Sequence, residues 1–404
     1  MVPLAGVLGR CLKLADRIVP DSAFRVGRAD IDGLIKAANA RPSASARLGL
    51  QQLLSSIDAE SELSLFGRLA LKWDLLRLLK NAQLVEDAHV ANQALSAAPV
   101  KAPLFILGLP RSGTSFLHDL MARDPGSQVP RSWQMIYPGP RPADFSPSGD
   151  ERVRKVDQQL DLFNQLAPGF RKLHPIYADS PQECSEITAH VFQSLRFDST
   201  HRTPSYFQWL ETYGHDDALA FHKKFLQFLQ NGQPERWVLK CPDHTFTLDA
   251  ILRIYPDARF VILHRDPIAV LGSVAHLTQV LRQPFLRNID AGEIGAQVSS
   301  RWIQGANLLL QFDQRTDVPA SRKFHMHYEE FTAAPLALIQ RIYEYFGEDL
   351  TSSTMQAMQD HINAKPRGGY GRHAPYRLET FKLSAAALQK GFMPYVRQYC
   401  QSVR

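Results

Sequence analysis

Pro103–Leu109 (PLFILGL) is a short apolar run, closed by Pro110 and followed at once by the small-residue stretch RSGTS. In the next segment, FLHDLMARDPG, Phe116, Leu117, Leu120 and Met121 fall on one face at helical spacing. Few orders of elements accommodate an apolar strand, a tight loop and an amphipathic helix in immediate succession. The same grammar recurs. Arg236–Lys240 (RWVLK) reads as a strand leading to Cys241–His244, with a helix begun near Phe246 and ended by the Tyr255-Pro256-Asp257 turn. Phe260–Leu263 reads as a strand before His264-Arg265-Asp266-Pro267, where Asp266 suits a helix N-cap and Pro267 the first helical position. Lys323–His327 reads as a fourth strand, before a helix over Pro335–Phe346. Strands alternating with helices predict an α/β fold, a P-loop-like parallel sheet flanked by helices.

Two helical parts are expected around that sheet. Residues 1–98 form an N-terminal helical region, an appendage in which Leu69, Trp73, Leu76 and Leu79 recur at steps of three or four and leave Lys72, Arg77 and Lys80 for solvent. The α/β domain then covers 99–404. Within it, residues 128–235 are too many for a crossover and predict a helical insertion that builds the pocket of a second substrate. Its helices are expected over Asp157–Leu166 and Leu219–Leu229, after the Pro-rich loop Pro138–Pro147.

Charge narrows the partners. The chain of 404 residues carries a formal +6, yet Lys365–Arg404 alone holds eight basic residues against one acidic, so the remainder stands at −1. A protein neutral except in one tail lacks the basic face that a duplex needs, so a compact anionic ligand is expected and nucleic acid is not. No apolar stretch is long enough for a transmembrane segment, and the first twenty residues, with Arg10, Lys13 and Arg17 among apolar positions, do not read as a signal peptide. Cys11, Cys184, Cys241 and Cys400 form no close pair, which points to a reduced, cytoplasmic setting.

Gly108-Leu109-Pro110-Arg111-Ser112-Gly113-Thr114-Ser115 has the frame of a phosphate loop. Small residues let successive backbone N–H groups converge on anionic oxygens, and the following helix adds its positive end. A nucleoside-triphosphatase loop carries Lys at the seventh place, to hold the outer phosphates beside magnesium. Here that place is Thr114, and the cation is Arg111. The ligand expected is therefore phosphate-like and held without a metal; the alternative is an ordinary strand-to-helix turn. Arg265 and Ser273 make a second anion site on a neighbouring strand end, unless Arg265 simply pairs with a carboxylate such as Asp266.

Together these pieces resemble the sulfotransferase superfamily, in particular its bacterial-type branch, from about Leu34 to Leu383. The resemblance implies that ILGLPRSGTSFLH binds the 5′-phosphosulfate of 3′-phosphoadenosine 5′-phosphosulfate (PAPS) through Pro110, Arg111, Ser112, Gly113, Thr114 and Ser115. It implies that FVILHRDPIAVLGS, with Arg265 and Ser273, holds the 3′-phosphate, and that Tyr328 of HYEEFTAAPLALIQRIYEYFG sits near the base. RWVLKCPDHTFTLDAILRIYPDARF is similar to the family's lysine-containing segment, and the spacing from Lys240 to Arg265 agrees. A basic C-terminal loop holding Arg367 and Arg372 would close over the 3′-phosphate.

Transfer of a sulfuryl group needs a cation on the leaving phosphate oxygen, a base for the acceptor hydroxyl, and both substrates in line. Arg111 and Lys240 suit the first task. For the second, the family offers a Trp-Glu pair, but this chain reads Ser132-Trp133-Gln134, and an amide cannot take a proton. His244 and Glu183 remain as base candidates, with His174 and Asp179 expected as pocket or capping residues. Aromatic residues of the insertion, Phe163, Phe170, Tyr177, Phe192, Phe207 and Trp209, suit a small or lipid-like hydroxyl acceptor, or else a core. The function expected is thus sulfuryl transfer from PAPS, with a P-loop kinase-like phosphotransferase and a non-catalytic nucleotide-binding protein as alternatives. Whether the chain forms a homo-oligomer is open.

Overall fold

The computed structural model describes residues 14–16, 18–20, 22–142, 144–167, 169–232, 236–364 and 376–400. Its strands are β1 (Leu104–Gly108), β2 (Ser127–Gln128), β3 (Arg236–Lys240), β4 (Arg259–His264) and β5 (Lys323–His327). Helices of eight residues or more are α1 (Ile31–Ala38), α2 (Ala44–Glu60), α3 (Leu65–Ala91), α4 (Thr114–Met121), α5 (Glu151–Leu166), α6 (Pro204–Tyr213), α7 (Asp216–Gln230), α8 (Ile268–Arg282), α9 (Ala291–Asp313), α10 (Pro335–Phe346), α11 (Ser352–Ala364) and α12 (Ala385–Tyr399). No described helix is long and apolar enough to cross a membrane.

The chain divides into two compact units. One comprises residues 100–129, 234–276 and 290–404, and the other 1–99, 130–233 and 277–289. In the first lies a five-stranded sheet in the order β2-β3-β1-β4-β5, every pair parallel. The expected α/β class, a P-loop-like parallel sheet with helices on its faces, is the one found. Strands β1 and β4 are apolar along nearly their whole length because both faces are covered. Ile106, Val238, Val261 and Leu263 pack with Leu117 and Leu120 of α4 and Leu338 and Ile339 of α10. On the opposite face, Phe105 packs on Tyr255 and Phe260, and Phe260 on Phe312 of α9.

The order of strands creates the site. From β1 the chain runs to β2 on one side, whereas from β4 it runs to β5 on the other. The loops after two adjacent strands therefore diverge, and ligands of open parallel sheets bind in the crevice this leaves at the carboxyl ends.

The second unit is helical. Leu50, Leu53 and Leu54 of α2, Leu71, Leu75 and Leu78 of α3, and Phe225 and Leu226 of α7 are buried. His89 Nε2 lies 2.9 Å from the carbonyl oxygen of Lys224, and Gln227 Nε2 donates to Ala98 O at 2.8 Å. The solvent face expected for α3 is only half right. Leu69 and Trp73 are 41% and 48% exposed, and Arg77 is buried. The helix is apolar on most sides, so the Leu71-Leu75-Leu78 stripe competes with the one expected and wins. Arg77 is held inside by ion pairing to Asp74 at 2.6 Å and by donating to Met135 O at 2.8 Å. Burial alone would raise the Asp74 carboxyl, but Arg196 and Arg77 outweigh it and hold the group well below the ordinary carboxylate range.

Candidate active site

The anion loop runs from the end of β1 into α4. Gly108 has φ +150°, and a Cβ there would lie 2.7 Å from Leu263 O and 2.8 Å from Ser112 Oγ. Gly113 caps α4 at φ +94°, a conformation that glycine adopts without steric cost. Between them Arg111 is left-handed at φ +66°. That backbone state costs an L-residue roughly 1–2 kcal/mol, and such outliers concentrate at ligand clamps. The turn is closed by Ser112, whose N and Oγ both donate to Leu109 O, at 3.3 and 2.7 Å. Ser112 and Thr114 are buried, Pro110, Arg111 and Gly113 half-buried, and Ser115 exposed.

Arg265, one residue beyond β4, reaches this loop. Its Nη1 donates to the carbonyl oxygen of Arg111 at 2.6 Å. Its guanidinium also lies 3.7 Å from the centroid of the Tyr328 ring, and a Cβ on Gly113 would sit 3.1 Å from Cδ2 of that ring. The three sequence-predicted elements, loop, arginine and tyrosine, therefore form one cluster on the sheet's carboxyl edge. Asp266 is not paired to Arg265 through any described contact; its Oδ1 accepts from Ile268 N at 2.9 Å. Pro267 O takes the first backbone bonds of α8, so the helix begins one position later than expected.

Ser273 is half-buried in the second turn of α8. Its neighbour Gly272 faces Tyr376, whose Cβ lies 3.1 Å from where a Gly272 Cβ would be, and whose ring centroid lies 5.0 Å from that of His276. Burial depresses the pKa of Arg111, and Tyr376, Arg265 and Tyr328 are the charged or ionisable neighbours that modulate it. Tyr376 thus belongs with the site. In the sequence it follows the basic segment without a motif of its own. Arg367 and Arg372 lie outside the described residues.

Lys240 ends β3 and is buried, 3% exposed. It pairs in register with Ile106, which places it on the sheet face covered by α4. His244 sits in the turn Pro242–Phe246, also buried, with its ring edge-on to Phe105 at 5.0 Å. Phe105 is on the opposite face from Ile106, so the structure does not bring Lys240 and His244 together on one face.

The other unit holds the remaining candidates. Gln134 is buried, and its Oε1 accepts from Arg131 N at 3.1 Å, at the third position of the short helix Ser132–Ile136. An amide oxygen caps a helix start as a carboxylate would, which accounts for its tolerance here. Trp133 Nε1 donates to Asp179 Oδ1 at 3.3 Å, and Arg131 Nη1 to Asp179 Oδ2 at 3.0 Å. Asp179 therefore anchors this segment by binding the two side chains. Glu183 is half-buried, two residues past the bridge between Arg131 and Pro181. Phe163 packs on Phe170 at 5.2 Å and on Phe285 at 6.0 Å, and Phe285 packs on Phe66 and His201. Phe192 is wholly buried core, Tyr177 is 46% exposed, and Trp209 stacks on Tyr213.

Known proteins share this fold. The chain is 27% identical to sulfotransferase STF9 from Mycobacterium avium, with a TM-score of 0.84 over 95% of this chain and 98% of that one. It is 25% identical to sulfotransferase STF1 from Mycobacterium tuberculosis H37Rv, with a TM-score of 0.77 over 94% and 100%. It is also 24% identical, over 65% of its own length and 68% of the relative's, to the omega-hydroxy-beta-dihydromenaquinone-9 sulfotransferase Stf3 of Mycobacterium bovis. The model described as the Sulfotransferase family matches residues 103–352, from the strand before the anion loop to the start of α11. The chain belongs to the sulfotransferase family, and its activity is sulfuryl transfer.

Proposed function

We propose that the chain moves the sulfuryl group of PAPS to a hydroxyl of a lipid-like acceptor. The observation that carries the reading is the Arg265 guanidinium held against the carbonyl of Arg111 and the ring of Tyr328. It sets a five-donor cation beside the loop that leads into the N-terminus of α4. That arrangement suits an adenine nucleotide with anionic groups at both ends of its ribose. Family membership supports PAPS as the donor.

The acceptor oxygen attacks sulfur, forming a new S–O bond, while the S–O bond to the 5′-phosphate breaks and its electron pair leaves as adenosine 3′,5′-bisphosphate. Arg111 and Lys240 offset the charge that grows on the departing oxygen. Pro110, Ser112, Gly113, Thr114 and Ser115 form the 5′ cradle, Arg265 and Ser273 hold the 3′-phosphate, and Tyr328 lies beside the nucleotide. The hydroxyl proton passes to His244 or Glu183. Half-buried Phe66, Phe163 and Phe285, with Phe170, offer aromatic surface of the kind an apolar acceptor chain would occupy. Stf3, by its name, acts on a hydroxylated menaquinone.

The test is incubation with ³⁵S-labelled PAPS and a panel of hydroxylated isoprenoid and short-chain alcohols. Label in the isoprenoid products supports the reading. Binding of adenosine 3′,5′-bisphosphate with no labelled acceptor of either kind would point to a nucleotide-binding protein instead.

A further inference from the structure

His264, the residue before Arg265, belongs to a set of polar side chains that sulfuryl transfer does not use. His264, which ends β4 and is 1% exposed, has Nδ1 at 2.9 Å from Tyr395 Oη of α12 and Nε2 at 2.9 Å from His325 Nδ1 of β5. His325 Nε2 in turn lies 3.1 Å from Asp313 Oδ1, at the end of α9. Asp313 Oδ2 accepts from Tyr399 Oη at 2.7 Å, and the Tyr399 ring returns to stack on His264 with centroids 3.8 Å apart.

The directions of these bonds are fixed by chemistry. A carboxylate only accepts, so Tyr399 and His325 Nε2 both donate to Asp313. A neutral His325 then presents Nδ1 as an acceptor, which obliges His264 to donate from Nε2 and to accept at Nδ1 from Tyr395. With both imidazoles neutral the four links are mutually consistent, and a second proton on both rings at once would set N–H against N–H between them. Burial lowers the pKa of both rings, and neighbouring histidines lower that of His264 further, so the neutral pair is the stable one.

The strand ends repeat one pattern. His264 is the register partner of His327, and the residues that follow them, Arg265 and Tyr328, are the pair that closes on the anion loop. We propose that His264 is a positioning residue, through which the Tyr395–His264–His325–Asp313–Tyr399 network lets the C-terminal helix α12 set the grip of Arg265 on the nucleotide's 3′-phosphate. The inference rests on the 3′-phosphate role given to Arg265 above. It assigns to α12, which touches neither loop nor arginine through any described bond, a share in nucleotide selectivity.

The test compares dissociation constants for adenosine 3′,5′-bisphosphate and adenosine 5′-phosphate, by titration calorimetry on the full chain, in wild type, Tyr395→Phe and Asp313→Asn. Tyr395→Phe removes one oxygen from a packed ring, and Asp313→Asn changes a partly exposed group, so a measurable fold survives in at least the second. Loss of one link of ordinary net strength should reduce the preference for the bisphosphate about fivefold. Because the links act as one unit, the double variant should lose less than the product of the singles. A melting temperature that falls while the preference stays at the wild-type value assigns the network to stability alone and overturns the inference. Wild-type protein that fails to prefer the bisphosphate overturns the 3′-phosphate assignment itself, whatever the variants do.

Discussion

Arg265 donates to the carbonyl oxygen of Arg111 at 2.6 Å, so these two arginines are tied to each other. One holds a left-handed backbone in place for the other. Removing the clamp should therefore injure both ends of the nucleotide site, but unequally. For Arg265→Ala we expect a loss of about ten- to a hundredfold in affinity for adenosine 3′,5′-bisphosphate, the range of a charge-assisted hydrogen bond. Adenosine 5′-phosphate should lose only the part due to a loosened loop. Calorimetric titration of both nucleotides decides it; matched losses would remove Arg265 from the 3′-phosphate.

Arg111 tests the leaving-group role. With its guanidinium lost in Arg111→Ala, turnover of labelled PAPS should fall by roughly two to three orders of magnitude, as when one preorganised donor to a developing anion is removed. Arg111→Gly shares that loss of charge but relieves the left-handed backbone at φ +66°. The glycine variant should therefore be the more stable of the two and equally slow. If Arg111→Ala turns over at the wild-type rate, the developing charge is met elsewhere.

The base is decided by a pair of variants. A general base contributes about 10²–10⁴ in rate. His244→Ala also opens a void beside Phe105, to which the ring is edge-on, and so should lower the melting temperature whether or not it is slow. Glu183→Gln keeps shape and volume. If Glu183 takes the proton, Glu183→Gln loses that rate factor with its stability and its affinity for adenosine 3′,5′-bisphosphate intact. Full activity in Glu183→Gln, joined to a slow and folded His244→Ala, would give the role to the histidine.

Much of the sheet was readable because β1, β3 and β4 carry short apolar runs ended by charged or small residues, the signature of a covered parallel strand, whereas β5 (KFHMH), last in the strand order, alternates. Arg236–Lys240, Lys323–His327 and Pro335–Phe346 match the expected bounds. The loop was readable because Gly108 and Gly113 stand where backbone must turn left-handed. Other features had no local signal. Arg77 looks like a surface cation until Asp74 and the Met135 carbonyl surround it. Tyr376 and the Tyr395–His264–His325 network join residues from 61 to 131 positions apart, and sequence spacing encodes nothing about such meetings.

Buried histidines set the acid limb of stability in the helical unit. Burial pushes His190 and His222 down to about 3, and His201 and His215 down to about 4, from an ordinary value of 6.5. Between those limits the unfolded chain binds protons that the folded chain refuses, so unfolding takes up protons and stability falls as pH drops from about 6.5 towards 4. The slope is about 1.4 kcal/mol per pH unit for each such group. Asp74 does not interfere, because its carboxyl titrates below this window. His201 sits against the Phe285 ring at 5.4 Å, so a phenyl ring can replace it in kind. In His201→Phe the stability measured by urea unfolding should fall less steeply between pH 6.5 and 4.5, by about 1.4 kcal/mol per unit. Parallel curves for variant and wild type would show that folding leaves the His201 pKa at its unfolded value.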